Sequence, residues 1–249
     1  MQGNQEEFKA YYKVYNKKNK VINSILTAIT IVVCVFCIAI VCLSIVFFRA
    51  QVIGASMQPT FNISLNENED PETSIYKDIV VVNRFQNGTN GDIVLIDKSA
   101  EEIEYSGGII TIKEEVLIKR IIATQGQVVS IRYNYADKYC QYYINGKLLN
   151  EPYIKSQYDM NELYFELFCQ CNDNKETNFE IKYTSNYKEA SITIGENQVF
   201  VLGDNRGNSE DSHIFGPVDI DEIMGKVVFY YAYDETLLGA LWQEFCSLF

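Results

Sequence analysis

Two segments far apart in the chain carry residue types that could act together. Gly54-Ala55-Ser56-Met57-Gln58-Pro59-Thr60 offers a hydroxyl in a tight turn, and Ile118-Lys119-Arg120-Ile121-Ile122, 63 residues beyond Ser56 at Lys119, offers an amine flanked by apolar side chains. A serine becomes a nucleophile only when something takes its proton, and a lysine does that only when desolvation depresses its pKa. His213 is the one histidine, so an imidazole-based triad would rest on that residue alone. The pair implies serine–lysine hydrolase chemistry.

Each half has a bland reading. A serine in a Gly/Pro-bounded turn is usually only a turn residue, and a lysine beside apolar residues usually extends its amine to water. A third segment shifts the balance. Gly203-Asp204-Asn205-Arg206-Gly207-Asn208-Ser209-Glu210-Asp211-Ser212-His213 follows the apolar run Gln198–Leu202 and gathers small, polar and charged residues. That density suits a network that orients other groups better than it suits a core.

The elements that must hold these segments are legible from patterning. The 249 residues leave room for one anchor and roughly 200 residues of globular material. Eighteen Tyr and 14 Phe, with many Ile and Val, favour strands. Residues 21–48 are 28 residues without a charge; as a helix they would span roughly 42 Å at ~1.5 Å per residue, more than the ~30 Å hydrocarbon core needs. The run exceeds the ~7–15 residues of a signal-peptide apolar region, and no small-x-small site follows it. A retained transmembrane anchor is the better reading. Residues 1–20 carry five lysines against Glu6 and Glu7, a charge of +3, within a total of −12; the remainder is therefore −15. The lysines place the N-terminus in the cytoplasm by the positive-inside bias, and the rest outside. So acidic a globular part excludes most nucleic-acid binding, which neutralises phosphates.

Short apolar runs bounded by turn residues predict strands at 77–83, 91–96, 109–112, 116–123, 127–133, 198–202 and 226–230, and Asn145-Gly146 predicts a hairpin turn. The fold class expected is mostly β: an antiparallel catalytic core over 49–132 and 196–236, with a small inserted β subdomain over 133–195. Residues 155–190 read as polar, aromatic and irregular. The acidic stretch 66–72 reads as a solvated loop. Residues 237–249 read as an apolar or amphipathic segment, packed on the domain or resting at the lipid interface. Cys140, Cys169, Cys171 and Cys246 imply thiols or one bridge from Cys140 to the close pair; the Cys-x-Cys spacing with no nearby histidine does not suit zinc.

With these segments in order, the chain resembles bacterial type I signal peptidases. Those enzymes carry an N-terminal anchor, a Ser-Met-x-Pro-Thr turn, a Gly-Asp-led strand, a Lys-Arg strand and a Gly-Asp-Asn-Arg…Asn-Ser…Asp-Ser segment. The matching stretches here are Val21–Phe48, Ser56–Thr60, Gly91–Val94, Lys119–Arg120 and Gly203–Ser212, and Asn150-Glu151-Pro152-Tyr153 also fits. The resemblance implies that Ser56 is the nucleophile and Lys119 the general base. It also implies that Ser209 hydrogen-bonds the lysine amine, that Arg120 pairs with Asp204, and that Asp211 supports the network. The backbone N–H of Ser56 would be one oxyanion donor. Gly54 stands where some relatives have a hydroxyl, so a backbone donor, Gly54 among them, or another hydroxyl must substitute. His213 stands where the family usually has arginine, and Asp211 is its candidate partner.

On this resemblance the chain is expected to cut signal peptides from preproteins emerging from the secretion translocon. It would act on the outer face of a bacterial plasma membrane, after small-x-small sites, with no cofactor and no metal. Ile118, Ile121 and Met57 are the expected apolar lining around Lys119, and residues near Met57 and on the Asp78–Val82 strand the expected subsite walls. The alternative is a catalytically inactive relative serving as a membrane assembly or chaperone factor. A self-cleaving serine–lysine repressor is disfavoured by the anchor, and a plain adhesive ectodomain gives no reason for five motifs in order.

Overall fold

The computed structural model describes residues 3–62, 78–98, 101–105, 108–112, 115–154, 156, 159–172, 178–232 and 236–240. The acidic stretch 66–72, Cys246 and most of the segment 237–249 lie outside the described residues. The chain divides into two compact units, Met1–Phe47 and Phe48–Phe249.

The first unit is one helix, α1 (Gly3–Val46). Its stretch Tyr11–Val46 is long and apolar enough to cross a membrane, and an 18-residue window within it has a mean hydropathy of 3.2. No glycine or proline interrupts it after Gly3, so the helix continues through the lysine-rich residues before the apolar run. Its hydroxyls are spent locally: Ser24, Thr27, Thr30 and Ser44 donate to the carbonyls of Lys20, Asn23, Leu26 and Val41. Such back-bonding gives each of these four hydroxyls a partner within the helix. The helix itself ends at Val46. Phe47 and Phe48 open the first strand instead, and Phe48 packs against the core of the second unit.

The second unit is built from antiparallel sheets. A seven-stranded sheet runs β1 (Phe47–Gln51), β2 (Ile79–Asn83), β14 (Ile223–Tyr231), β3 (Ile93–Lys98), β6 (Glu115–Thr124), β12 (Gln198–Leu202) and β13 (Val218–Asp219). A five-stranded sheet runs β10 (Glu180–Tyr183), β11 (Tyr187–Thr193), β7 (Val128–Asn134), β8 (Cys140–Ile144) and β9 (Lys147–Leu148). A separate hairpin pairs β4 (Glu101–Tyr105) with β5 (Gly108–Ile112). β7, read from sequence as part of the catalytic core up to residue 132, pairs with β8 and β11 in the five-stranded sheet. The β8–β9 turn has Asn145 and Gly146 at φ 50° and 77°, the left-handed pair that a two-residue hairpin demands.

The region read as irregular contains a helix, α2 (Glu162–Asn172). Tyr164, Phe165, Phe168, Cys171 and Asn172 are its buried residues, a spacing of one, four, seven and eight from the first, which is one helical face. That face seals the five-stranded sheet: Phe168 packs in one core with Ile131, Tyr142 and Ile192, and Phe200 and Leu202 of β12 share it. The two sheets are thus held by common apolar residues. Cys140 is buried as a thiol whose Sγ donates to the Asn161 carbonyl at 3.4 Å, so the bridge left open from the sequence does not form at Cys140.

Candidate active site

Ser56 sits in the turn that follows β1. Met57 and Phe61 are buried in one core with Val80, Val82 and Leu95, which fixes the turn while Ser56 remains partly open. Asn62 staples its base. The Asn62 side-chain amide donates to the carbonyls of Val52 at 3.1 Å and Gly54 at 3.0 Å, and Asn62 and Asp78 exchange side-chain-to-backbone bonds of 2.7 and 2.9 Å. Gly54 has φ +85°, which a side chain would resist.

A second clamp comes from the loop after β12. The backbone N–H of Asn205 donates to the Ser56 carbonyl at 3.0 Å, and its side-chain amide to the Ala55 carbonyl at 3.0 Å. Gly203 is the contact point. A Cβ there would stand 2.2 Å from Ser209 Oγ and 2.6 Å from the Ser56 carbonyl oxygen. The absence of a side chain is therefore what lets three segments meet. Gly203→Ala should lower the rate of any reaction at Ser56 at least tenfold, because a misplacement on the ångström scale costs about that much or more. Comparing peptide cleavage with thermal unfolding of the same variant checks whether the loss exceeds the change in stability.

Lys119 lies on β6 opposite Val94 of β3. Successive strand residues face opposite sides, so Lys119 and Arg120 divide the work. The Lys119 side is buried, at 3% exposure. Burial pushes the amine below its ordinary lysine value, opposed by the carboxylates of Asp211, Glu210, Glu115 and Asp204. Ser56, Lys119 and Ser209 line one cleft of about 1000 Å³. Ile118 and Val80 line it too. Met57 and Ile121, expected in the lining, are packed in two separate cores beneath it.

On the other side, Arg120 grips Asp204 with Nε at 2.9 Å and Nη2 at 2.6 Å, donates Nη1 to the Gly91 carbonyl at 2.8 Å, and lies 4.0 Å from the Tyr153 ring centre. Thr60 Oγ1 donates to the same Asp204 carboxylate. One carboxylate thus joins β6, the serine turn and the Gly203 loop.

Asp211 is fully buried and caps α3 (Ser212–Phe215). Its Oδ2 accepts the Gly203 N–H at 2.8 Å, and its Oδ1 lies 2.7 Å from His213 Nδ1. Burial alone would raise its pKa, but His213, Lys119 and the Gly203 N–H hold the carboxyl below its ordinary value. Ser209 differs from expectation. Its Oγ is buried with no hydrogen-bond partner among the described residues, so the bond to the Lys119 amine is not formed. The hydroxyl lies against Gly203 instead.

Sequence reasoning passed over some of the groups that assemble the site. Arg206 is buried, donates Nε to the Gly203 carbonyl at 3.0 Å, and pairs through both terminal nitrogens with Glu151. Glu151 follows the β8–β9 hairpin, so this ion pair ties the loop to the five-stranded sheet. Asn205, Thr60 and Asn62 had no separate signal beyond membership of polar turns.

A family model described as signal peptidase, peptidase S26, matches residues 24–232. Signal peptidase IB of Staphylococcus aureus is 32% identical over 119 residues, 48% of this chain, and the chain spans only about half of that relative, 54%. Signal peptidase I of Bacillus licheniformis is 27% identical over 220 residues, 88% of this chain and 92% of the relative. A solved signal peptidase I from Enterococcus faecalis V583 is 25% identical and covers 57% of this chain and 97% of its own, with a TM-score of 0.32.

Proposed function

The chain belongs to the peptidase S26 family of signal peptidases, and from that premise and the cleft we propose that it is a membrane-anchored serine endopeptidase removing signal peptides from exported preproteins. The observation that carries this reading is the burial of the Lys119 amine in the cleft that Ser56 also lines. A desolvated lysine is a base near neutral pH, and a serine in the same cleft is what it would activate.

Neutral Lys119 takes the proton of Ser56 Oγ as that oxygen attacks the scissile carbonyl. The resulting ammonium gives its proton to the leaving amine, and the C–N bond breaks. Ser56 is left as an ester, and Lys119 then deprotonates the water that hydrolyses it. The Ser56 N–H, with that of Gly54 as the second donor, stabilises the oxyanion. Because the base must be neutral, kcat/KM should rise with pH as Lys119 loses its proton.

The sheet supports a binding mode. β6 pairs with β3 over Glu115–Arg120, but with β12 only over Arg120–Thr124 among the described residues. Residues 115–119 therefore have no strand partner on the β12 side among the described residues, and they line the cleft together with Val52 and Ile53. An extended peptide can add there as a strand, with alternate side chains in shallow subsites. Those subsites accept small residues at −1 and −3 and exclude larger ones by volume. The lysines before the apolar run put the N-terminus in the cytoplasm and the cleft on the outer face, where preproteins leave the translocon.

The test uses the full chain in detergent with a precursor carrying an Ala-x-Ala junction. Mass spectrometry of the products should show one cut after the second alanine. Replacing that alanine by phenylalanine should lower kcat/KM by roughly 100-fold. The inactive-relative reading has one observation in its favour, the unbonded Ser209 hydroxyl. Failure of the wild-type chain to cut any such junction would establish it.

A further inference from the structure

α2 contributes nothing to the reacting groups, yet one of its edges is turned to the cleft. Tyr164, Phe165, Phe168 and Cys171 bury its inner face. Leu163 and Leu167, one turn apart beside that face, line the cleft that Ser56 and Lys119 also line. Leu163 is 61% exposed and Leu167 half-buried. Exposed leucines scattered singly need no explanation. Two on one helical edge, beside the strand that would receive a peptide, do. The helix is held at both ends: Lys188 Nζ donates to the Glu162 carboxylate at 2.8 Å, and the Asn172 side-chain amide donates to the His213 carbonyl of α3 at 3.1 Å.

The two faces of β6 fix which substrate position meets this edge. Successive strand residues face opposite sides. Ile118 packs in one core with Val52, Val80 and Leu95, on the side of the serine turn. Leu117 packs against the core that contains Cys171 of α2 and Ile214 of α3. A peptide that adds to β6 as a strand alternates in step with it. Its −1 and −3 side chains take the Ile118 face, where Val80 and Leu95 also line the cleft. The −2 side chain then takes the opposite face, toward Leu117 and the leucine edge of α2.

We infer that Leu163 and Leu167 form a subsite for a large apolar side chain at −2 of the precursor, so that the middle position of the small-x-small site is read by the enzyme. The inference rests on the functional reading of Ser56 and Lys119 and on the strand-addition mode given with it. The occupant follows from the lining. Two leucines facing water gain by being covered with an aliphatic side chain, in proportion to the apolar area removed from solvent. Glu115, in step with Leu117 on β6, and Glu210 also line the cleft, so an acidic side chain at −2 meets like charge.

The experiment measures kcat/KM of the full chain in detergent on precursors that differ only at −2, with Ala-Leu-Ala, Ala-Ala-Ala or Ala-Asp-Ala at the junction. Wild type should cut the leucine precursor roughly tenfold faster than the alanine one, and the aspartate precursor slowest. Leu163→Ser should shrink the leucine-to-alanine ratio by about threefold or more. Leu163→Lys should raise the aspartate-to-alanine ratio by about threefold, the worth of a solvent-exposed ion pair. A helix that only packs would scale all three rates by one factor, so ratios unmoved in both variants overturn the inference. A wild-type leucine-to-alanine ratio near one overturns it without any variant, and it does so while leaving the functional reading intact. A wild type that cuts none of the three sinks the functional reading, and this inference with it.

Discussion

Ser56→Ala should abolish precursor cleavage, lowering kcat by about 10⁴-fold or more, while leaving the folded unit intact. The hydroxyl has little to do with holding the turn, which is fixed by Asn62 and Asn205 on backbone carbonyls and by Met57 and Phe61 in the core beneath. Lys119→Ala should cost a comparable factor, and the double variant little more than either alone, because a nucleophile and its base act as one unit. Stability separates the two residues. The buried amine has its pKa depressed in the folded chain, so between the folded and unfolded values the unfolded chain binds more protons. Stability therefore rises with pH across that window. Lys119→Met should remove that dependence, as read by denaturant unfolding at several pH values. Wild-type cleavage by either alanine variant would show that the reacting groups lie elsewhere.

Glu151→Ala should give the largest loss of stability, about 3–5 kcal/mol. The Arg206 side chain is 0% exposed and that of Glu151 4%, so truncating the carboxylate strands a guanidinium where water cannot reach it. At about 2–4 °C per kcal/mol for a domain of this size, thermal unfolding should come roughly 6–20 °C earlier. Arg206→Met combined with Glu151→Leu should recover most of this, since apolar residues of similar volume often replace a buried pair at little cost. Activity should not recover in parallel, because Arg206 also holds the Gly203 carbonyl. A loss below about 1 kcal/mol for Glu151→Ala would mean that solvent reaches the pair and that it behaves as a surface bridge.

The comparison of these residues explains what sequence could and could not reveal. Ser56 and Lys119 each have an ordinary local reading, and they became legible only beside the polar Gly203–Ser212 stretch and the order of the motifs. Arg206 and Glu151 are 55 residues apart, and each alone reads as an ordinary turn charge. Nothing local says that both are dry. The strands were legible from short apolar runs, yet the sheet to which β7 belongs was not, since a run of Val128–Asn134 suits either sheet. α2 is hard to see in the sequence because its Tyr, Phe and Cys sit in a polar, aromatic stretch with no run of helix formers. Its spacing at Tyr164, Phe165, Phe168 and Cys171 was a helical stripe available to a period count.

The strand order carries a further meaning. β14, the last strand of the sheet, lies between β2 and β3. The Ser56 turn hangs from the β1–β2 side and Lys119 from the β3–β6 side, so the two halves are joined in the sheet only by the strand synthesised after both. A nascent chain holding every reactive group but lacking Ile223–Tyr231 has no continuous sheet on which to bring them together. The sheet that carries both Ser56 and Lys119 is thus closed by the strand that is made last of its seven.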